Sequence, residues 1–299
     1  MRVIHHFFSR PRTSTPELPY HPTVPSNGVS PNSISFALRA SAMFWFLIAL
    51  LGQWAFFYFI IAFYGTSVVS GNLEMWNRFE PLGNTPYIPG DTSGNVAFAA
   101  HALGAGIVAF GGALQLIPQL RQWAPKFHRW NGRIYLTTVV ALALSGFYLN
   151  WIRGSSPNTL SAVGSSINGG LILIFAFVAL LRVRNGNLSS HRQWAMRLYL
   201  VSNAQWFLRV GVICYLMVGR ALGFETKLGG WFFDFWTFGC YLTPLLLLQL
   251  YLFAGNHPNV ILRSVVAGSI VGVTLLMGVG IVGYFQFTRL IITDAPLLL

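Results

Sequence analysis

Long apolar runs separated by short polar connections set the pattern of this chain. Seven of them approach the length of about 20 residues that crosses a hydrocarbon core of about 30 Å. The pattern predicts spans at about 42–64, 95–117, 133–153, 162–182, 193–218, 234–254 and 262–287. The expected fold is therefore all-α: a polytopic membrane helix bundle of seven transmembrane helices. Residues 1–40, rich in Pro, Ser and Arg, are expected to form a flexible cytoplasmic tail, with the bundle over 41–290 and a short outer tail at 291–299. Pro11, Pro16 and Pro19 oppose reading the basic first dozen residues as an amphipathic targeting helix.

Composition agrees with the pattern. Of the 299 residues 54% are hydrophobic and 9% charged, where a soluble domain carries about 25% charge. The net charge of +12 does not point to nucleic acid, because Lys and Arg gather at helix ends and no nucleic-acid motif is present. Arg121, Lys126, Arg129 and Arg133 follow the second predicted span, and Arg182, Arg184, Arg192 and Arg197 follow the fourth. The alternate connections are poorer in basic residues. The positive-inside rule then places the N-terminus inside and the C-terminus outside, in the plasma (inner) membrane, with membrane lipids as partners. Cys214 and Cys240 both fall inside predicted spans and form no disulfide framework or zinc spacing.

The longest connection, 65–94, carries six prolines or glycines between Pro81 and Gly94, with Trp76, Phe79 and Tyr87 suited to a membrane surface. In the last span Gly268 and Gly272 have the small-xxx-small spacing that lets helix backbones approach closely. Pro244 is expected to kink the sixth span.

Two polar features stand out from this background. His101, Gly104, Val108, Gly111 and Gln115 share one face of the second span. Further on, the turn entering the third span reads His128-Arg129-Trp130-Asn131-Gly132-Arg133-Ile134-Tyr135. The one entering the fifth contains His191-Arg192, then Trp194, Arg197 and Tyr199 at the same mutual spacing, and His257 with Arg263 makes a fainter third copy. This echo suggests a repeated two-helix hairpin.

The Gly-rich His101 helix, Gln115, Arg121 and the two His-Arg turns resemble a family of multi-pass membrane proteins known as domain of unknown function 2306, over roughly residues 95–210. The resemblance implies a membrane location and carries no activity.

Two candidate sites follow. At the inner end, His128, His191, Arg133, Arg197 and His257 are the residues that would serve a cofactor. Two imidazoles at one depth suit axial ligation of haem b, with the arginines on its propionates. The competing reading makes each Trp, Arg and Tyr set a lipid anchor. Toward the outer end, His101, Gln115 and Arg209 form a candidate ligand pocket. His101 is expected about 9 Å below the membrane surface, with Arg209 at a similar level and without an acid of the membrane interior beside it. Such a pocket suits a quinone, a carboxylate or a lipid headgroup.

The function expected first is a membrane redox protein using b-type haem or quinone; the alternative is a transporter or a protein binding lipid or a small anionic ligand. A zinc-dependent intramembrane hydrolase fits poorly, since no HxxxH lies in the last span and acids to serve as ligand or general base are lacking. With seven acids in the chain, and none deep in a predicted span, proton-driven transport through a buried carboxylate is hard to build.

Overall fold

The computed structural model describes residues 31–82 and 85–293, with side chains from 36 to 78 and from 85 to 293. Most of the expected tail, 1–30, and the end of the outer tail, 294–299, lie outside the described residues. Helix α1 (Pro31–Ile60) takes up residues 31–40, which were expected in the tail. Its early turns have a partner: Leu38 packs with Ala254, Val266, Ala267 and Ile270 of two later spans. The helix continues through a π-helical turn, Ile61–Gly65, into α2 (Thr66–Ser70), and stops at Gly71 with φ at 73°.

A 3₁₀ helix, Leu73–Leu82, folds back along the membrane end and buries Trp76, whose indole N–H donates to Ser67 Oγ. Helix α3 (Thr92–Gln115) starts where Asp91 accepts from the Gly94 amide at 2.9 Å. Helices α4 (Pro118–Trp123) and α5 (Pro125–Trp151) each begin with proline, whose missing N–H is not needed in a first turn. Helix α6 (Thr159–Arg184) opens with a capping box of Asn158 and Ser161. Then come α7 (Leu188–Ser202), α8 (Ala204–Leu222), α9 (Trp231–Asn256) and α10 (Val260–Thr293). Among the described residues no strand occurs.

Among the described residues seven segments are long and apolar enough to cross a membrane: Phe36–Ser70, α3, α5, α6, α8, α9 and α10. They close into a ring in the order α1, α3, α5, α6, α9, α8, α10 and back to α1. Their outward faces are apolar, with Leu47, Leu144, Phe177, Leu246, Val265 and Leu275 exposed, as lipid contact requires. The expected fifth span is two helices, because α7 ends at Ser202 and α8 starts at Ala204. Four consecutive residues of the last turn of α7, Leu198 to Val201, are buried, so this turn is enclosed on every side. It forms a post inside the ring.

The His101 stripe is the seam between α3 and α5. Gly104 faces Leu142 and Thr138, Gly111 faces Asn131, and His101 meets Ser145. The close approach of α10 is made elsewhere than its GxxxG spacing suggested. A methyl group at Gly280 would overlap the Val210 carbonyl and one at Gly283 would overlap Met217, both on α8, whereas Gly268 and Gly272 have nothing within 4 Å.

Candidate functional site

At the basic end, the two His-Arg segments are helical rather than turns, since α5 starts at Pro125 and α7 at Leu188. Their echo is also geometrical. Arg133 lies over the Trp130 ring at 5.0 Å and Arg197 over Trp194 at 4.9 Å. In each the spacing of three residues puts guanidinium and indole on one helix face. Both tyrosines are buried: Tyr135 shares a hydrogen bond with Ser202, and Tyr199 donates to Gln53 Oε1 at 2.8 Å. His128 and His191 lie within electrostatic reach of each other. The His191 Nδ1 is 2.9 Å from the Ala179 carbonyl, and the His128 Nδ1 is buried without a partner among the described residues.

His257 does not join them. Its Nδ1 accepts from the Asn259 amide at 3.2 Å, its ring lies against Phe253, and Arg263 caps the end of α9 by donating to the Ala254 and His257 carbonyls. Among the described residues no three His, Cys, Asp or Glu side chains group as metal ligands would. Gln115 also moves from its expected place. It sits at the far end of α3 from His101 and donates to the His128 carbonyl at 3.2 Å, so it belongs to the basic end and not to the pocket.

Above this level the post carries neutral polar groups. Asn168 donates to the Val201 carbonyl at 3.0 Å, and Asn203 and Ser202 both donate to the Tyr199 carbonyl, satisfying acceptors that the helix break frees. Gln53 is fully buried, with Nε2 unpartnered among the described residues; so are Asn168 Oδ1 and Trp206 Nε1. Trp206 and Tyr284 line a cavity of about 10 Å³ between α1, α8 and α10, roughly one water in size.

His101 and Arg209, the expected pocket residues, lie beyond. His101, nine residues into α3, is about 14 Å deep at 1.5 Å per residue, further than expected because the helix starts at Thr92. Its Nδ1 meets Ser145 Oγ at 2.8 Å. Arg209, five residues into α8, lies 5.7 Å from the centre of the Phe56 ring and donates to the Gln205 carbonyl at 2.8 Å. It is within electrostatic reach of His101, Tyr64 and Tyr284, on three different spans, and among the described residues it has no carboxylate partner. The Tyr284 hydroxyl is buried and unpartnered among the described residues. Tyr64 sits in the π-helical turn, a feature common at functional sites. Tyr64 and Tyr284 carried no signal in the sequence, because each reads as an ordinary aromatic of an apolar span.

Arg153 is a further residue that sequence reasoning passed over. Only 3% of its side chain is exposed, and it bonds Asp91 Oδ2 at 2.9 Å, the Pro86 carbonyl at 2.9 Å and Asn95 Oδ1 at 2.7 Å. Its hydrogen bond to Asp91, aided by the Gly94 amide, holds that carboxyl below the usual carboxylate range. A side chain at Gly94 would overlap both partners. This is a staple that fixes the 3₁₀ loop over the ends of α3 and α5.

These features define a polytopic helical membrane protein with a half-buried arginine, Arg209, on one of its spans. The chain belongs to the domain of unknown function 2306 family, described as predicted membrane proteins, whose sequence profile matches residues 98–247. That stretch covers α3 from Phe98 through most of α9, including both His-Arg segments and Arg209. No curated protein and no solved structure matches the chain.

Proposed function

We propose that this protein binds an anionic or carbonyl-bearing amphiphile, such as a long-chain carboxylate or a quinone, inside the bundle at Arg209, His101, Tyr64 and Tyr284. The observation that carries the reading is Arg209: a guanidinium within a membrane span, on an aromatic ring and without a carboxylate among the described residues. An ionisable group at such depth is costly and is kept where it meets a ligand or a relay. His101 and the two phenols supply hydrogen-bonding groups around the charge, and Phe56 and Phe59 supply aromatic walls beside Tyr284. Binding of this kind serves a carrier, a lipid-handling protein or a quinone-dependent redox protein alike.

The test is extraction and mass spectrometry of lipids that copurify with wild-type and Arg209→Gln protein. A charge-assisted hydrogen bond contributes about 1.5–3 kcal/mol, so the variant is expected to retain its amphiphile at least about tenfold less well. Equal recovery from both proteins would refute the site.

Haem b ligation by His128 and His191 is the second reading. One observation favours it: an Nδ1–H of His191 donating to the Ala179 carbonyl leaves Nε2 as the ligating nitrogen. Against it, the Arg133 and Arg197 guanidinium groups, expected on propionates, lie on tryptophan rings. Sharp reduced-minus-oxidised bands, lost in His191→Ala, are its expected signature. We also take the end bearing Arg121, Lys126, Arg129, Arg182, Arg184 and Arg192 to face the cytoplasm of a plasma (inner) membrane.

A further inference from the structure

We infer that a second site, separate from the Arg209 pocket, holds one anionic phospholipid of the surrounding bilayer in the groove between α6, α7 and α9. The groove measures about 610 Å³, within the range of about 300–1,000 Å³ of sites for small molecules. Its walls are Phe175, Phe235, Phe238, Leu242 and Leu246, and its polar end is formed by Arg197 and Gln249. From Phe235 to Gln249 it follows fourteen residues of α9, about 21 Å at 1.5 Å per residue. That exceeds one leaflet's share of a core about 30 Å thick, so an acyl chain can lie along it.

The occupant's charge follows from Arg197. Its guanidinium is held on the Trp194 ring, Trp194 packs on Phe175 at 5.4 Å between ring centres, and Nη2 donates to Gln249 Oε1 at 2.8 Å. Among the described residues this is its one hydrogen bond, which leaves the remaining N–H groups of the planar fork to donate to a further acceptor. A phosphate diester matches such a fork, and among the described residues Arg197 is the single charged one lining the groove. A zwitterionic headgroup would bring a quaternary ammonium beside that cation, whereas phosphatidylglycerol would not. The sequence offered Arg197 as a propionate partner or a lipid anchor; the structure makes it the polar end of a trough.

Native mass spectrometry of the full chain, with equal phosphatidylglycerol and phosphatidylcholine added, tests the assignment. Wild-type protein is expected to retain one phosphatidylglycerol with at least about tenfold preference. Arg197→Gln is expected to lose the preference, Arg197→Lys, which keeps the charge without the fork, to keep only part of it, and Leu242→Trp to reduce occupancy by filling the trough. Arg192→Gln, an exposed charge at the same end, and Arg209→Gln are expected to leave it unchanged, which separates this site from the proposed pocket. Equal retention of the two lipids, a preference that survives Arg197→Gln, or an equal loss in Arg192→Gln would overturn it.

Discussion

Tyr199 brings its hydroxyl to Gln53 at a point where neither residue touches solvent. Removing the hydroxyl leaves the amide oxygen buried without a donor, a loss of about 1–3 kcal/mol. Tyr199→Phe is therefore expected to lower unfolding stability in detergent by that amount. Adding Gln53→Leu should recover part of it, since replacing both partners removes the orphaned group. Asp91 gives a pH prediction. Its carboxyl titrates lower in the folded protein than in the unfolded chain, so its contribution is present above the unfolded value of about 3.9 and is lost as pH falls through the folded value. Thermal stability is expected to decline below about pH 4 with a component that Asp91→Asn removes. Arg153 was illegible in the sequence because a lone Arg after an apolar run reads as a surface charge; only its contacts with Pro86, Asp91 and Asn95 bury it.

The elements show how pattern and packing divide the work. Six of the seven apolar runs recur as unbroken helical spans and the fifth as α7 followed by the span α8, because backbone groups in hydrocarbon must be satisfied within the helix itself. The break at Ser202–Asn203 has no proline or glycine to announce it. It persists because Asn168, Ser202 and Asn203 satisfy the carbonyls it frees. The glycines of α10 make the same point. Substitution at Gly280 should destabilise through overlap with the Val210 carbonyl, by about 1–3 kcal/mol or more for Gly280→Val. Gly272→Val is expected to be nearly neutral, as nothing lies within 4 Å. Parallel denaturation curves of the two variants check this, and equal losses would place both glycines at contacts.

On the scale of the whole molecule, the expected asymmetry of basic residues becomes a difference between the two ends of the ring. In a Cys214→Ala, Cys240→Ala background, a cysteine placed at Asn185 should label only after the membrane is permeabilised, and one at Gly154 should label from outside. The reverse result would invert the orientation. Of the residues expected at the outer pocket, His101 and Arg209 lie within electrostatic reach of each other, Gln115 sits at the basic end, and Tyr64 and Tyr284 of the first and last spans come within the same reach of Arg209. Likewise, His128 and His191 lie within electrostatic reach of each other while His257 stays at the end of α9.

The sequence by itself determined the solvent of this protein, the number of its crossings and the local chemistry of each helix. Hydrophobic length and the spacing of Trp, Arg and Tyr are properties of single segments, and they act before any two helices meet. Tertiary structure alone decided which polar residues share a site. In an apolar environment helix pairing rests on close packing and on satisfying buried polar groups, so the glycine that meets Val210, the asparagine that meets a broken helix and the tyrosines that meet Arg209 are chosen by the ring's closure.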